Sequence, residues 1–104
     1  MGASVMAFME ISVVPLGTSQ PGVGDYVAEM IAYLRDQQIP HTLTDMGTIV
    51  EGEIEQLLAV ARDLHELPFQ HHVWRVVTHI AIDDRRDKEV HLEEKIAAVH
   101  RRLT

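Results

Sequence analysis

The chain has 104 residues, a formal net charge of −7 and no cysteine. At that length one domain is expected, with a single two-layer core that buries about 65 % of the unfolded surface. The acidic balance argues against a nucleic-acid partner, which needs a basic face. The lack of cysteine removes disulfides and thiolate metal sites.

Apolar residues make up 46 % and charged residues 24 % of the sequence, an ordinary globular composition. The opening Met1-Gly2-Ala3-Ser4-Val5-Met6 has no basic region followed by a long apolar run, so it does not read as a signal peptide. Residues 1–5 read as a disordered extension of a single domain spanning 1–104. No apolar run reaches the roughly 18 residues a membrane span needs. A cytoplasmic protein without a membrane partner is expected.

Val5 to Val14 predicts a strand with apolar residues on both faces, the mark of a strand covered on both sides. A loop from Pro15 to Gly22 follows. Val23, Tyr26, Val27, Met30, Ile31 and Leu34 then recur at helical spacing and form one stripe. Ile39-Pro40 ends that helix, because the residue before proline is pushed out of the α region.

His41 to Asp45 and Thr48 to Glu51 form a hairpin, with Gly47 free to take a positive φ at its reversal. A second helix begins near Glu53 and buries Ile54, Leu57, Leu58, Ala61 and Leu64, ending near Pro68. Val73 to Ile82 is a near-continuous apolar strand, predicted to be central. A last helix carries Leu92, Ile96, Val99 and Leu103.

The order β-α-β-β-α-β with an extra C-terminal helix predicts an α+β fold, the ferredoxin-like sandwich. Two helices cover one face of a four-stranded sheet and leave the other bare. A bare apolar face marks an interaction surface, so self-association through the open sheet face is expected.

Glu51 is the awkward residue, a carboxylate in a run of Thr, Ile and Val, where burial is costly without a partner. It is either an exposed strand end, a partner for an arginine across a subunit boundary, or the contact for a nitrogen-rich or cationic ligand. For the last role Thr44 and Thr48 offer hydroxyls and Met46 a polarisable wall. The run Asp83-Asp84-Arg85-Arg86-Asp87 reads as a mutually compensating turn.

Among seven histidines, His79 within a strand is the one expected to be buried, and no ligand spacing points to a metal. Trp74 reads as a core or interface residue. Nucleophile motifs and glycine-rich phosphate loops are missing.

Three segments together carry a resemblance: Glu10 to Thr18, Leu43 to Gly52, and Arg75 to Asp87. With Glu93-Glu94-Lys95 opening the last helix, the chain from about Met9 to Leu103 resembles the thiamine-binding protein family. The resemblance implies a ferredoxin-like subunit that pairs its sheet with a partner's, assembles into a tetramer, and binds thiamine or a related compound without established catalysis. Thiamine would be the ligand, with no cofactor. Carried onto this sequence, the ligand-binding positions are Ser12, Thr44, Met46, Thr48 and Glu51, with Thr18 and Thr78 as lesser members. His79 stands where the family usually has threonine, and Ala81 where a long residue such as lysine is common. The competing expectations are a structural or regulatory module without ligand, and a small enzyme using His79 or Glu51 in acid–base chemistry.

Overall fold

The computed structural model describes residues 6–17, 24–89 and 91–104. The extension expected at residues 1–5 lies outside them, as do Val23 and Thr18. The elements are β1 (Ala7–Leu16), α1 (Gly24–Asp36), β2 (His41–Leu43), β3 (Thr48–Gly52), α2 (Ile54–Glu66), a 3-10 turn (Leu67–His71), β4 (Arg75–Asp83) and α3 (Glu94–Leu103). The sheet order is β2-β3-β1-β4, with every neighbouring pair antiparallel. This is the ferredoxin-like α+β arrangement with an added helix.

Alternation along β1 sets the layers. Ala7, Met9, Ile11 and Val13 are buried, while Phe8, Val14 and Leu16 are half-buried and Glu10 is exposed. Successive side chains on a strand point to opposite faces. The odd positions therefore face α1 and α2 and the even ones the other side. Met30 and Leu34 from α1, Leu57, Val60 and Leu64 from α2, and Val50 from β3 complete the core.

In α2 the buried stripe is centred on Leu57, Val60 and Leu64, which turns Leu58 half into solvent rather than inward as expected. Adjacent helical residues diverge by about 100°, so Leu57 and Leu58 cannot both face the core centre. Tyr33 of α1 donates to Asp63 of α2 at 2.6 Å and ties the two helices together. Burial and that bond push the Tyr33 hydroxyl up to about 12.

Helix α1 closes with a Schellman pattern. Ile39 N–H donates to Leu34 O and Gln38 N–H to Arg35 O, each at 3.0 Å. Gln38 takes the left-handed conformation with φ 56°, a position glycine fills in most such caps.

Three expectations change. Strand β1 continues through Pro15 to Leu16, because β3 pairs only as far as Ile11 and leaves the proline beside a vacant edge. Strand β4 is an edge strand rather than a central one, with Arg75, His79, Ile80 and Asp83 exposed. An apolar run does not by itself separate a central strand from an edge strand. Gly47 is not in the positive-φ region, where Gly17 alone of the described glycines stands at 72°. The hairpin is instead organised by Thr44, whose hydroxyl donates to Gly47 O at 2.7 Å and accepts from Met46 N–H and Gly47 N–H at 3.2 Å.

Candidate functional site

The sheet face away from α1 and α2 is built from the even residues of β1 and their register partners. Glu10 lies opposite Ala81 and Ile49, and Phe8 opposite Asp83 and Glu51. Farther along, Ser12 faces His79 and Val14 faces Val77. The segment after β4 returns over one end of this face and leads into α3. Between helix and sheet lies a cleft of about 1000 Å³. Phe8, Ile49 and Ala81 give it an apolar floor, and Glu10 adds a carboxylate. Glu10 has no hydrogen-bond or ion-pair partner among the described residues.

Glu51 holds the cleft's far wall in place. It is only 8 % exposed. Its Oε1 accepts the Leu92 N–H at 3.1 Å, and His91 Nδ1 lies 3.1 Å from the same oxygen. The other ring nitrogen of His91 is 2.8 Å from Glu89 Oε1. Both nitrogens face carboxylates, and both can donate only if the ring is the imidazolium. The bond to Glu89, and then the bond to Glu51, accordingly raise the His91 pKa above its ordinary 6.5. Of the roles expected for Glu51, the exposed strand end does not hold: the carboxylate is buried, with partners from the same chain.

The other expected ligand residues separate into three places. Ser12 shares the open face with Glu51, but Glu51 is opposite Phe8, four positions away on β1, about 13 Å along the strand. Thr48 and Thr78 point to the helix-covered side. Thr48 is 2 % exposed, and Thr78 is engaged at 2.7 Å by His65 of α2. Thr44 and Met46 belong to the hairpin tip, and the Thr44 hydroxyl is used within its own turn. Thr18 lies outside the described residues.

Sequence reasoning missed Glu10, His91 and Leu92. Glu10 carried the same signal as Glu51, a carboxylate inside an apolar strand, but was read only as a polar member of that strand. His79 is exposed rather than buried, because β4 is at the edge and His79 looks out from the open face. Trp74 is 93 % exposed and so is no core residue. The Asp–Arg run compensates itself as expected: Arg85 bonds Asp87 at 2.6 and 2.9 Å, and Arg86 bonds Asp84 at 3.2 and 2.8 Å.

The sequence profile of the family described as "Thiamine-binding protein" matches residues 9–100. The chain belongs to the thiamine-binding protein family. A relative in this family, the UPF0045 protein YqgV of Bacillus subtilis, is 43 % identical over 102 residues, covering 94 % of this chain and 98 % of that one. The crystal structure of the hypothetical protein MJ1052 from Methanocaldococcus jannaschii superposes with a TM-score of 0.78 at 30 % identity, over 91 % of this chain and 96 % of that one. A Thermotoga maritima protein provisionally assigned to thiamine biosynthesis or salvage shares the fold, with a TM-score of 0.72 at 20 % identity over 90 % and 98 % of the two chains. Relatives that match this chain over nearly their full length thus occur in bacteria and archaea.

Proposed function

We propose that the protein is a non-catalytic binder of thiamine or a thiamine precursor, and that the ligand occupies the cleft between α3 and the open sheet face. The observation that carries this reading is Glu10, an unpartnered carboxylate set on an apolar floor of Phe8, Ile49 and Ala81. Thiamine joins a permanent thiazolium cation to a flat aminopyrimidine. A concave site with an apolar floor and a carboxylate beside it is the kind of site that suits it. The family description and the assignment of the Thermotoga relative to thiamine biosynthesis or salvage support the same ligand.

In this reading Glu51 is a positioning residue. It fixes the segment that forms one wall, and Glu10 supplies the charge opposite the ligand. Ser12 lies one alternation farther along the same face, beyond the residues that line the cleft. An acid–base enzyme is less well supported, since His79 is exposed and does not line the cleft. The Glu51 carboxylate is also engaged by Leu92 and His91.

Self-association belongs to the same proposal. α3 turns Ile96, Val99 and Leu103 to solvent, 56 %, 47 % and 76 % exposed. Glu94, Ala97, Ala98 and Arg101 of the same helix line the cleft, with Ile96 at its margin. A helix oriented this way gains little from its own sheet and much from a second copy. Edge strand β4, nine residues long with Ile80 exposed, invites a partner as well. The assembly is taken to be a dimer through the open sheet face that pairs into a tetramer.

Among the described residues no helix is long and apolar enough to cross a membrane. The reading places the protein in the cytoplasm, where a chain without cysteine needs no oxidising environment. Thermal melts with thiamine and with hydroxymethylpyrimidine test the ligand. At 100 times Kd the gain should be about 2.7 kcal/mol, and no shift with either compound rejects the reading.

A further inference from the structure

The cleft is lined by the carboxylates Asp83, Glu93 and Glu94 besides Glu10, and by a group of cations that the proposed ligand does not explain. Of the nine Lys and Arg residues in the chain, five line this one cleft: Arg85, Lys88, Lys95, Arg101 and Arg102. Arg85 is neutralised by Asp87. The other four have no carboxylate within ion-pair distance among the described residues. In a protein of net charge −7, this is an unexpected place for the unpaired cations to gather.

Basic residues in the last turn of a helix offset its dipole, and that accounts for the helical position of Arg101 and Arg102. It does not account for Lys88, which precedes the helix, or for Lys95 in its first turn. Nor does it explain why all four converge on a concave surface. The helix face toward the cleft places Ala97 and Ala98 between Glu94 and Arg101, so small methyl groups leave room between its charged ends. Seven residues of helical rise separate those ends by about 10 Å.

We propose that the cleft takes its aromatic cation as a phosphate ester, with Glu10 opposite the cationic ring and Arg101, Arg102, Lys88 and Lys95 around the phosphate. This rests on the reading of the cleft as a site for thiamine-type cations and adds the form in which the ligand is bound. Guanidinium groups offer planar pairs of N–H donors that match phosphate oxygens, and such charge-assisted bonds are the strong ones. A carboxylate and a cationic cluster in one cleft recognise a molecule carrying both charges better than a molecule carrying either one. The free cation would leave the basic side unanswered, and inorganic phosphate would leave Glu10 unanswered.

Calorimetric titration of the purified protein with thiamine, thiamine monophosphate, thiamine diphosphate and inorganic phosphate tests this. The phosphate esters should bind at least about tenfold tighter than thiamine, the contribution of one charge-assisted pair. Their affinity should fall more steeply with added salt than that of thiamine itself. The Arg101→Gln/Arg102→Gln double variant alters exposed side chains, so it should fold as before. It should close the gap between ester and thiamine by weakening the esters; Lys88→Gln should narrow the gap in part. Equal affinities for thiamine and its esters overturn the proposal and spare the thiamine reading. So does a gap that survives both variants, or inorganic phosphate binding as tightly as the esters. Binding of none of the organic compounds overturns the thiamine reading itself.

Discussion

The backbone N–H of Leu92 donates to Oε1 of Glu51 at 3.1 Å, across 41 positions of sequence. That bond joins the central hairpin to the segment that launches α3, and with it the sheet to the far wall of the cleft. None of α3 is itself buried, so its placement depends on a few such ties. Glu51→Ala should destabilise the chain by about 2 kcal/mol, the cost of losing bonds to a charged acceptor. Glu51→Gln keeps an oxygen for Leu92 and should lose less. Hydrogen exchange localises the effect: amides from 91 to 103 should exchange faster, while those of β1 and α2 should not.

The tie is also pH-dependent. His91 lies between Glu89 and Glu51, and the two carboxylates raise its pKa above 6.5. A group whose folded value is raised stabilises fully below its unfolded value, and the contribution is lost as pH rises through the folded one. Docking of α3 should therefore be firm below pH 6.5 and loosen at higher pH. Fluorescence of a probe attached at residue 104, followed from pH 5.5 to 9, should show this transition. His91→Gln should remove it, and a transition that persists in that variant would rule out His91 as its source.

Two glycines make contrasting demands. A Cβ at Gly47 would lie 3.2 Å from the Ile11 carbonyl oxygen and 3.4 Å from Glu10 Cγ, so backbone would have to give. At Gly52 the close atom, at 2.6 Å, is the end of the flexible Gln56 side chain, which can swing away. Either substitution to alanine gains about 0.4–1 kcal/mol from a less mobile unfolded chain. Gly47→Ala should still destabilise by about 1 kcal/mol net, because overpacking costs about 1–3 kcal/mol. Gly52→Ala should be near neutral. Urea midpoints at unchanged m-value measure the difference. Because Gly47 touches Glu10, its alanine variant should weaken ligand binding as well.

The outward stripe of α3 makes a prediction about assembly. Sedimentation should find the protein larger than a monomer at micromolar concentration. Ile96→Asp/Val99→Asp should reduce its mass while circular dichroism stays unchanged, since both residues are about half exposed in the single chain. A wild-type monomer would contradict the proposed self-association.

Much of the fold was legible because its layers obey local periodicity. The alternation of Met9, Ile11 and Val13 and the helical spacing of Met30 and Leu34 report the core directly. The ends and edges were less legible. β4 carries as many apolar residues as a central strand, and only the pairing of β1 with it shows that its outer edge is open. Glu51 was recognisable as a residue in need of a partner. Its partners come from His91 and Leu92, 40 and 41 positions away, and no local pattern announces a contact at that range. Thr44 and Thr48 share the hairpin with Glu51 in sequence, yet the turn consumes one hydroxyl and the strand pleat sends the other to the opposite face. Glu10 was available to the same reasoning as Glu51, but in a strand read as covered on both faces it was given no role of its own.

The central claim is that a cationic aromatic ligand binds opposite Glu10. Calorimetric titration of thiamine into wild-type protein and into Glu10→Gln tests it most directly. Glu10 is exposed, and the amide is nearly the same size, so the fold should survive. Saturable binding to the wild type, weakened about tenfold or more in Glu10→Gln, is the predicted result. Equal affinity in the two proteins, or no heat with either, would contradict it.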